Sequence, residues 1–232
     1  MRWDTRFCTA IYVIIFFRFL QPFWNLLIGF PGETEEIYAN YDRILPTLTH
    51  LPPPSGVYPV RFDRFSPYFK DADAYGLDLA PMDFYSLVYP ELADDDLREL
   101  AYFFVDRNFA AAYIQAASAW LAPLARRISA WQDAWKSERP LLVAVEEAHG
   151  SYILDTRSGL ELRHPVSPDG AAILQQLRTP LTLERIAGKL PTLPIEVLER
   201  QVEELRSRGL LFCEDARFLS LISSAAQEEE TL

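Results

Sequence analysis

Short, continuously apolar runs alternate along this chain with stretches that are apolar only every third or fourth residue. Ala10–Phe17 (AIYVIIFF) is apolar throughout, preceded by Arg2 and Arg6 and closed by Arg18 and Gln21-Pro22. It falls short of the about 20 residues a spanning helix needs, and no small-residue cleavage site follows it. A second run, Trp24, Leu26, Leu27 and Ile28, predicts a strand buried on both faces. It stops at Gly29, turns through Pro31-Gly32, and restarts as a helix. Thr34 is the expected cap, Glu35 and Glu36 occupy the first turn, and Tyr38, Tyr41, Ile44 and Leu45 share a face. Pro46 ends that helix, and His50–Gly56 (HLPPPSG) makes a stiff loop. Val57–Phe62 then reads as one further strand with Tyr58, Val60 and Phe62 alternating.

From Asp71 to Pro90 the sequence is polar, aromatic and poorly periodic, which predicts an extended passage. Tyr68, Tyr75, Tyr85 and Tyr89 in and beside it serve either packing or a peptide groove. Asp94-Asp95-Asp96 starts a helix, with acids at the favourable end. Helical spacing continues through Leu97, Leu100 and Phe104, and later through Trp120, Leu124, Ile128, Trp131 and Trp135. Pro123 is expected to kink or divide this element, and the tryptophan stripe reads as a packing face.

Arg139-Pro140 marks a boundary. Beyond it, Leu141–Glu147 and Ser151–Asp155 read as a hairpin across Ala148-His149-Gly150, and Leu160–His164 as another strand. Three short helices follow: one opened by Pro168-Asp169-Gly170, one over Thr182–Leu190, and one carrying Ile195, Leu198, Val202 and Leu205 that ends at Gly209. Leu210–Phe212 and Arg217–Leu221 flank a small wing, so residues 140–224 are expected to form a winged-helix-like α+β domain. The acidic tail, 225–232, reads as a solvated end.

Composition narrows the function. The 232 residues carry a formal charge of −11, which disfavours nucleic acid as a partner and suits a basic or neutral peptide. The third helix mixes Glu196, Glu199, Glu203 and Glu204 with Arg200, Arg206 and Arg208, so it has no basic face for DNA. The two cysteines, Cys8 and Cys213, stand far apart and read as small buried apolar residues in a cytoplasmic protein. His50, His149 and His164 stand singly, so no metal site is expected.

Two segments carry candidate chemistry. Gly29, Pro31, Gly32 and Glu33 sit where a strand hands over to a helix, and free N–H groups there suit a carboxylate or ribose. A tight turn with an N-terminal acid reads the same residues equally simply. Arg61, Asp63 and Arg64 lie between aromatic residues. Either the arginines grip a substrate or cofactor carboxylate, or Asp63 pairs with one of them as a structural tie.

The wording of these segments, WNLLIGFPGE followed by PPPSGVYPVRFDRFSPYF, resembles the last part of the barrel in radical S-adenosylmethionine (radical SAM) enzymes. Among these it is most similar to the cobalamin-binding proteins that mature ribosomally made, bacteriocin-type peptides. The resemblance implies an α/β fold: the last strands and helix of a TIM-like barrel in 1–69, an extended passage and helical bridge in 70–139, then the winged-helix-like domain. It implies that Gly29, Pro31, Gly32 and Glu33 line the S-adenosylmethionine side. It further implies that the intact protein C-methylates a precursor peptide using a 4Fe–4S cluster, S-adenosylmethionine and cobalamin. The cluster's C-x-x-x-C-x-x-C loop and the cobalamin domain are missing here, so the chain is expected to be a truncated form, inactive alone, with its N-terminal half possible in trans. The C-terminal domain is similar to winged-helix elements that capture leader peptides by strand addition. The alternative is a non-catalytic leader-peptide-binding scaffold; a membrane-tethered accessory protein is a third expectation.

Overall fold

The computed structural model of the chain describes residues 23–147 and 150–223. The Ala10–Phe17 run, Cys8, His149 and the acidic tail lie outside the described residues. Two compact units emerge: one of residues 24–43 and 54–129, the other of residues 44–53 and 130 onward together with Phe23. The boundaries expected at 69/70 and 139/140 fall inside these units. The architecture is mixed α/β with small sheets, and none of the described sheets closes into a barrel.

In the unit of 24–43 and 54–129, the helix Glu35–Ile44 (α1) connects the strand Leu26–Ile28 (β1) to the strand Val57–Pro59 (β2), and the two strands pair in parallel, with Leu26 opposite Val57 and Ile28 opposite Pro59. The apolar run does not bury both faces of β1: Leu26 and Ile28 are buried, but Leu27 is 43% exposed. Among the described residues one face of this two-stranded sheet is covered, and the alternate side chain stays outside. The predicted strand 57–62 also divides. The Val60 N–H still donates to the Ile28 carbonyl (2.7 Å), but Phe62–Asp63 (β3) joins a different, antiparallel sheet.

That second sheet corrects the expected extended passage. After a short helix, Pro67–Lys70 (α2), capped by Ser66, the chain forms Leu79–Pro81 (β4), the helix Phe84–Val88 (α3), the helix Asp94–Leu100 (α4) and Phe103–Asp106 (β5). β5 lies between β3 and β4 and is antiparallel to both. Phe104 therefore belongs to a strand and not to the helix that its spacing from Leu97 and Leu100 predicted. Phe62, Leu79, Ala101, Phe104 and Tyr113 make the core beneath this sheet.

The helix Ala112–Ser137 (α5) runs through Pro123 without division. An internal proline costs about 3 kcal/mol in a helix; burial of Leu124, Ile128 and Trp131 offsets it. In its last turns, Trp131 and Trp135 donate their indole N–H groups to the carbonyls of Leu51 (2.9 Å) and Thr49 (2.7 Å). These two tryptophans thus pack and tie the 44–53 segment into its unit.

The C-terminal elements follow their local signals closely. Leu142–Glu147 (β6), Gly150–Asp155 (β7) and Leu162–Pro165 (β8) form an antiparallel meander. Then come Pro168–Gln176 (α6), Leu181–Thr182 (β9), Leu183–Lys189 (α7), Ile195–Ser207 (α8), Leu211–Glu214 (β10) and Arg217–Ser220 (β11), with β11 between β10 and β9. Ser167 caps α6 by accepting the Gly170 N–H at 3.0 Å. Gly209, at φ +69°, ends α8: its N–H bonds the Arg206 carbonyl and that of Leu210 reaches Leu205. Asp215 and Ala216 both have positive φ, as a two-residue hairpin turn requires. Cys213 departs from expectation. It lies on the outward face of β10 and is exposed, because Phe212 takes the inward position.

Candidate functional site

The Gly29–Glu33 loop is organised around one carboxylate. Glu33 Oε2 accepts the N–H groups of Gly29 (2.9 Å) and Phe30 (3.0 Å) and the Tyr38 hydroxyl (2.6 Å). The N–H groups of Gly29 and Phe30 are therefore engaged by the loop's own acid. Burial, reinforced by the adjoining Glu33 carboxylate, pushes the Tyr38 phenol above its ordinary pKa, so it remains a donor. Gly29 adopts φ +87°, a left-handed backbone conformation that a side chain would strain, which is the reason for glycine at this turn.

Behind Gly29, at the carboxyl ends of β1 and β2, lies a half-open, mostly apolar cavity of about 140 Å³. Ile28, Val60, Phe109, Ile114 and Leu121 contribute to its wall, with Asp106 and Tyr113 as its main polar groups. Sequence reasoning missed both. Asp106 is buried and accepts the N–H groups of Asp78 (2.8 Å) and Asn108 (3.0 Å) and the Tyr113 hydroxyl. The signal was an aspartate closing the β-prone run Phe103-Phe104-Val105 before Arg107-Asn108. Pro31, Gly32 and Glu33 do not line the cavity; of the loop residues proposed as a set, Gly29 alone does.

The arginine cluster separates into two roles. Arg61 Nε donates to Asp63 Oδ1 at 2.8 Å, and its guanidinium stands 3.7 Å over the Phe103 ring. Arg64 turns away, donating to the carbonyls of Ala101 (2.5 Å) and Arg98 and lying over Phe69 and Phe104. Arg64 thus ties the end of α4 to the β3 turn, and none of Arg61, Asp63 and Arg64 reaches the cavity.

In the other unit, the outer strand of the meander offers a different kind of site. β8 pairs with β7 on one side only among the described residues. Leu160 and Leu162, at and just before its start, are exposed, as is Ile195 at the start of α8. Arg208 Nη1 donates to the Pro165 carbonyl (3.1 Å) and the Ser167 hydroxyl to Gln201 Oε1 (2.8 Å), holding the end of β8 beside α8. A free strand edge with apolar side chains beside it can accept another strand through main-chain hydrogen bonds.

Below this strand is a buried polar centre. Arg157 donates to both carboxylate oxygens of Asp155 (2.9 and 2.7 Å) and to the carbonyls of Thr47 (2.6 Å) and Gly209 (2.9 Å). Burial pushes the Asp155 carboxyl up, but the hydrogen bonds and charge of Arg157 more than offset it and hold the group below its usual pKa. His164 Nε2, on β8, lies 3.5 Å from Asp155 Oδ2. His50 is fully buried with Nε2 against the Leu221 carbonyl (2.7 Å); burial and then Arg157 push its pKa down to about 3. Among the described residues no group of histidine, cysteine and acidic side chains is arranged to hold a metal ion. No described helix is long and apolar enough to cross a membrane.

No family model, curated protein or solved structure matches the chain.

Proposed function

We propose that this chain is a leader-peptide-binding protein of peptide maturation, with residues 140–223 acting as a winged-helix-like capture module. The observation that carries the reading is the free edge of β8, flanked by exposed Leu160 and Leu162 and braced against α8. An extended leader segment would add as a fourth strand beside β8. Its main chain would supply affinity, and alternate side chains would rest on the leucines and Ile195. The order helix, strand, helix, helix, strand, strand after the meander supports the winged-helix assignment.

The resemblance of WNLLIGFPGE and PPPSGVYPVRFDRFSPYF to cobalamin-dependent radical SAM proteins supports reading this binding as part of precursor-peptide C-methylation. The 4Fe–4S cluster of that chemistry is held by closely spaced thiolates, and Cys8 and Cys213 do not fit it. On this reading the chain binds and presents the peptide. The cluster, S-adenosylmethionine and cobalamin belong to a catalytic partner, such as a barrel half supplied in trans.

The test is a titration of the full chain with dye-labelled precursor peptides encoded beside its gene, read by fluorescence anisotropy. Saturable binding is expected, weakened at least about tenfold in the Leu160→Glu, Leu162→Glu double variant, with an unchanged circular dichroism spectrum. Absence of binding to every such peptide, or equal binding by the variant, overturns the proposal.

A further inference from the structure

The unit of 24–43 and 54–129 carries an exposed surface that neither the leader-capture reading nor the core explains. Helix α3 is pinned by Tyr85, whose hydroxyl accepts the N–H groups of Tyr102 (2.9 Å) and Phe103 (3.3 Å). Phe84 stacks on Tyr85 with ring centroids 4.4 Å apart. The same helix turns Leu87 (81% exposed) and Val88 outward, and Tyr89 and Leu92, just beyond its end, are exposed with them. So anchored a helix has no folding reason to present leucine and valine to water.

Beside this apolar strip is a polar concavity of about 370 Å³, into which Asp78, Asp83, Asp94 and Asp95 contribute. Its two cations are already engaged. Arg98 Nη1 donates to the Leu79 carbonyl (2.5 Å), and Arg107 lies 3.8 Å from Asp83. Among the described residues neither Asp94 nor Asp95 has an ion-pair partner. Glu91, Asp96 and Glu99 extend the acidic rim and are exposed. The carboxylates do not form a metal-binding group.

We propose that residues 83–100 form a docking surface for a basic peptide segment with an apolar face. A lysine or arginine side chain enters the concavity between Asp83 and Asp94-Asp95, while its apolar neighbours cover Leu87 and Val88. Charge selects this occupant over two others. A second copy would bring the same acidic rim against itself, and an anionic membrane would be repelled by it. The surface lies in a different unit from β8 and stands or falls independently of leader capture.

The experiment uses the full chain and a dye-labelled amphipathic Leu/Lys peptide, with a Leu/Glu peptide of the same pattern as comparison. The Leu/Lys peptide is expected to bind and to weaken as salt is raised, and the Leu/Glu peptide not to bind. Asp83→Asn with Asp94→Asn and Asp95→Asn should weaken binding on the order of tenfold, as should Leu87→Ser with Val88→Ser. A control of Glu196→Gln, Glu199→Gln and Glu203→Gln removes the same charge from α8 and should bind as wild type. The proposal is overturned if the Leu/Lys peptide does not bind, or if the α8 control weakens binding as much as the aspartate variant. Concentration-dependent dimerisation abolished by Leu87→Ser, or binding to phosphatidylserine vesicles through Leu87 and Val88, would also overturn it.

Discussion

Two arginine–aspartate pairs in this chain share spacing and geometry but not surroundings. Asp155 and Arg157 are two residues apart and meet at 2.7 Å; Arg61 and Asp63 are two residues apart and meet at 2.8 Å. The first pair's side chains are 7% and 9% exposed (arginine first), the second's 49% and 38%. Arg157 also serves two carbonyls from distant segments, whereas Arg61 lies over a single ring. The same local chemistry is a structural centre in one unit and a surface tie in the other. An ion pair's worth is set by what removes it from water and by what else its donors satisfy.

The largest effect that can break this comparison is expected from Arg157→Ala. It strands a buried Asp155 carboxylate and two carbonyls, and should cost about 3–5 kcal/mol of unfolding free energy in urea titrations. Arg61→Ala should stay within about 1 kcal/mol. Equal losses would show that burial does not separate the two pairs.

Acid sharpens the contrast next. His50 titrates at about 3 in the folded chain and near 6.5 when unfolded, so the unfolded state binds the extra proton between those values. Its contribution is complete above about pH 6.5 and is lost progressively as pH falls toward 3. Lowering pH from 7 to 4.5 should therefore cost on the order of 2 kcal/mol. Asp155, held below its ordinary value, keeps its contribution above about pH 4 and loses it as pH falls further, so it does not contribute in this window. His50→Gln should flatten the dependence; an unchanged slope would remove His50 as its source.

A smaller effect probes the other unit. Glu33→Ala leaves the Gly29 and Phe30 N–H groups and the Tyr38 hydroxyl without their shared acceptor, at a cost of about 1–2 kcal/mol by thermal or urea unfolding. Glu33→Gln retains an acceptor oxygen and should lose less. If both variants are neutral, the carboxylate is not what holds the loop.

Legibility in the sequence followed the range of the interactions. Pro168-Asp169-Gly170 opening a helix, Gly209 ending one, and the tight turn at Asp215-Ala216 between two strands are each decided within a few residues, and each lies where the pattern put it. Leu79–Pro81 carries no strand pattern of its own, and the short β-prone run at Phe103–Asp106 is overridden by the helical spacing of Phe104; the two strands form by pairing with each other, and β5 also with Phe62–Asp63. Leu97, Leu100 and Phe104 have helical spacing, yet the helix ends at Leu100, and Ala101 is buried beside Phe104 in the sheet's core. At the candidate sites, Gly29 and Glu33 were recognisable as a strand-to-helix turn. That the acid would consume the loop's own donors was not, since this depends on Tyr38 folding back over it.

Residue order alone was enough to place caps, turns, the C-terminal run of strands and helices, and the acidic balance, because these rest on backbone sterics, short-range hydrogen bonds and composition. The tertiary structure decided which Arg–Asp pair is buried, which leucines line a free strand edge, and which acids surround an apolar strip. Those outcomes depend on exclusion of water by segments far away in the chain, and no local spacing encodes that.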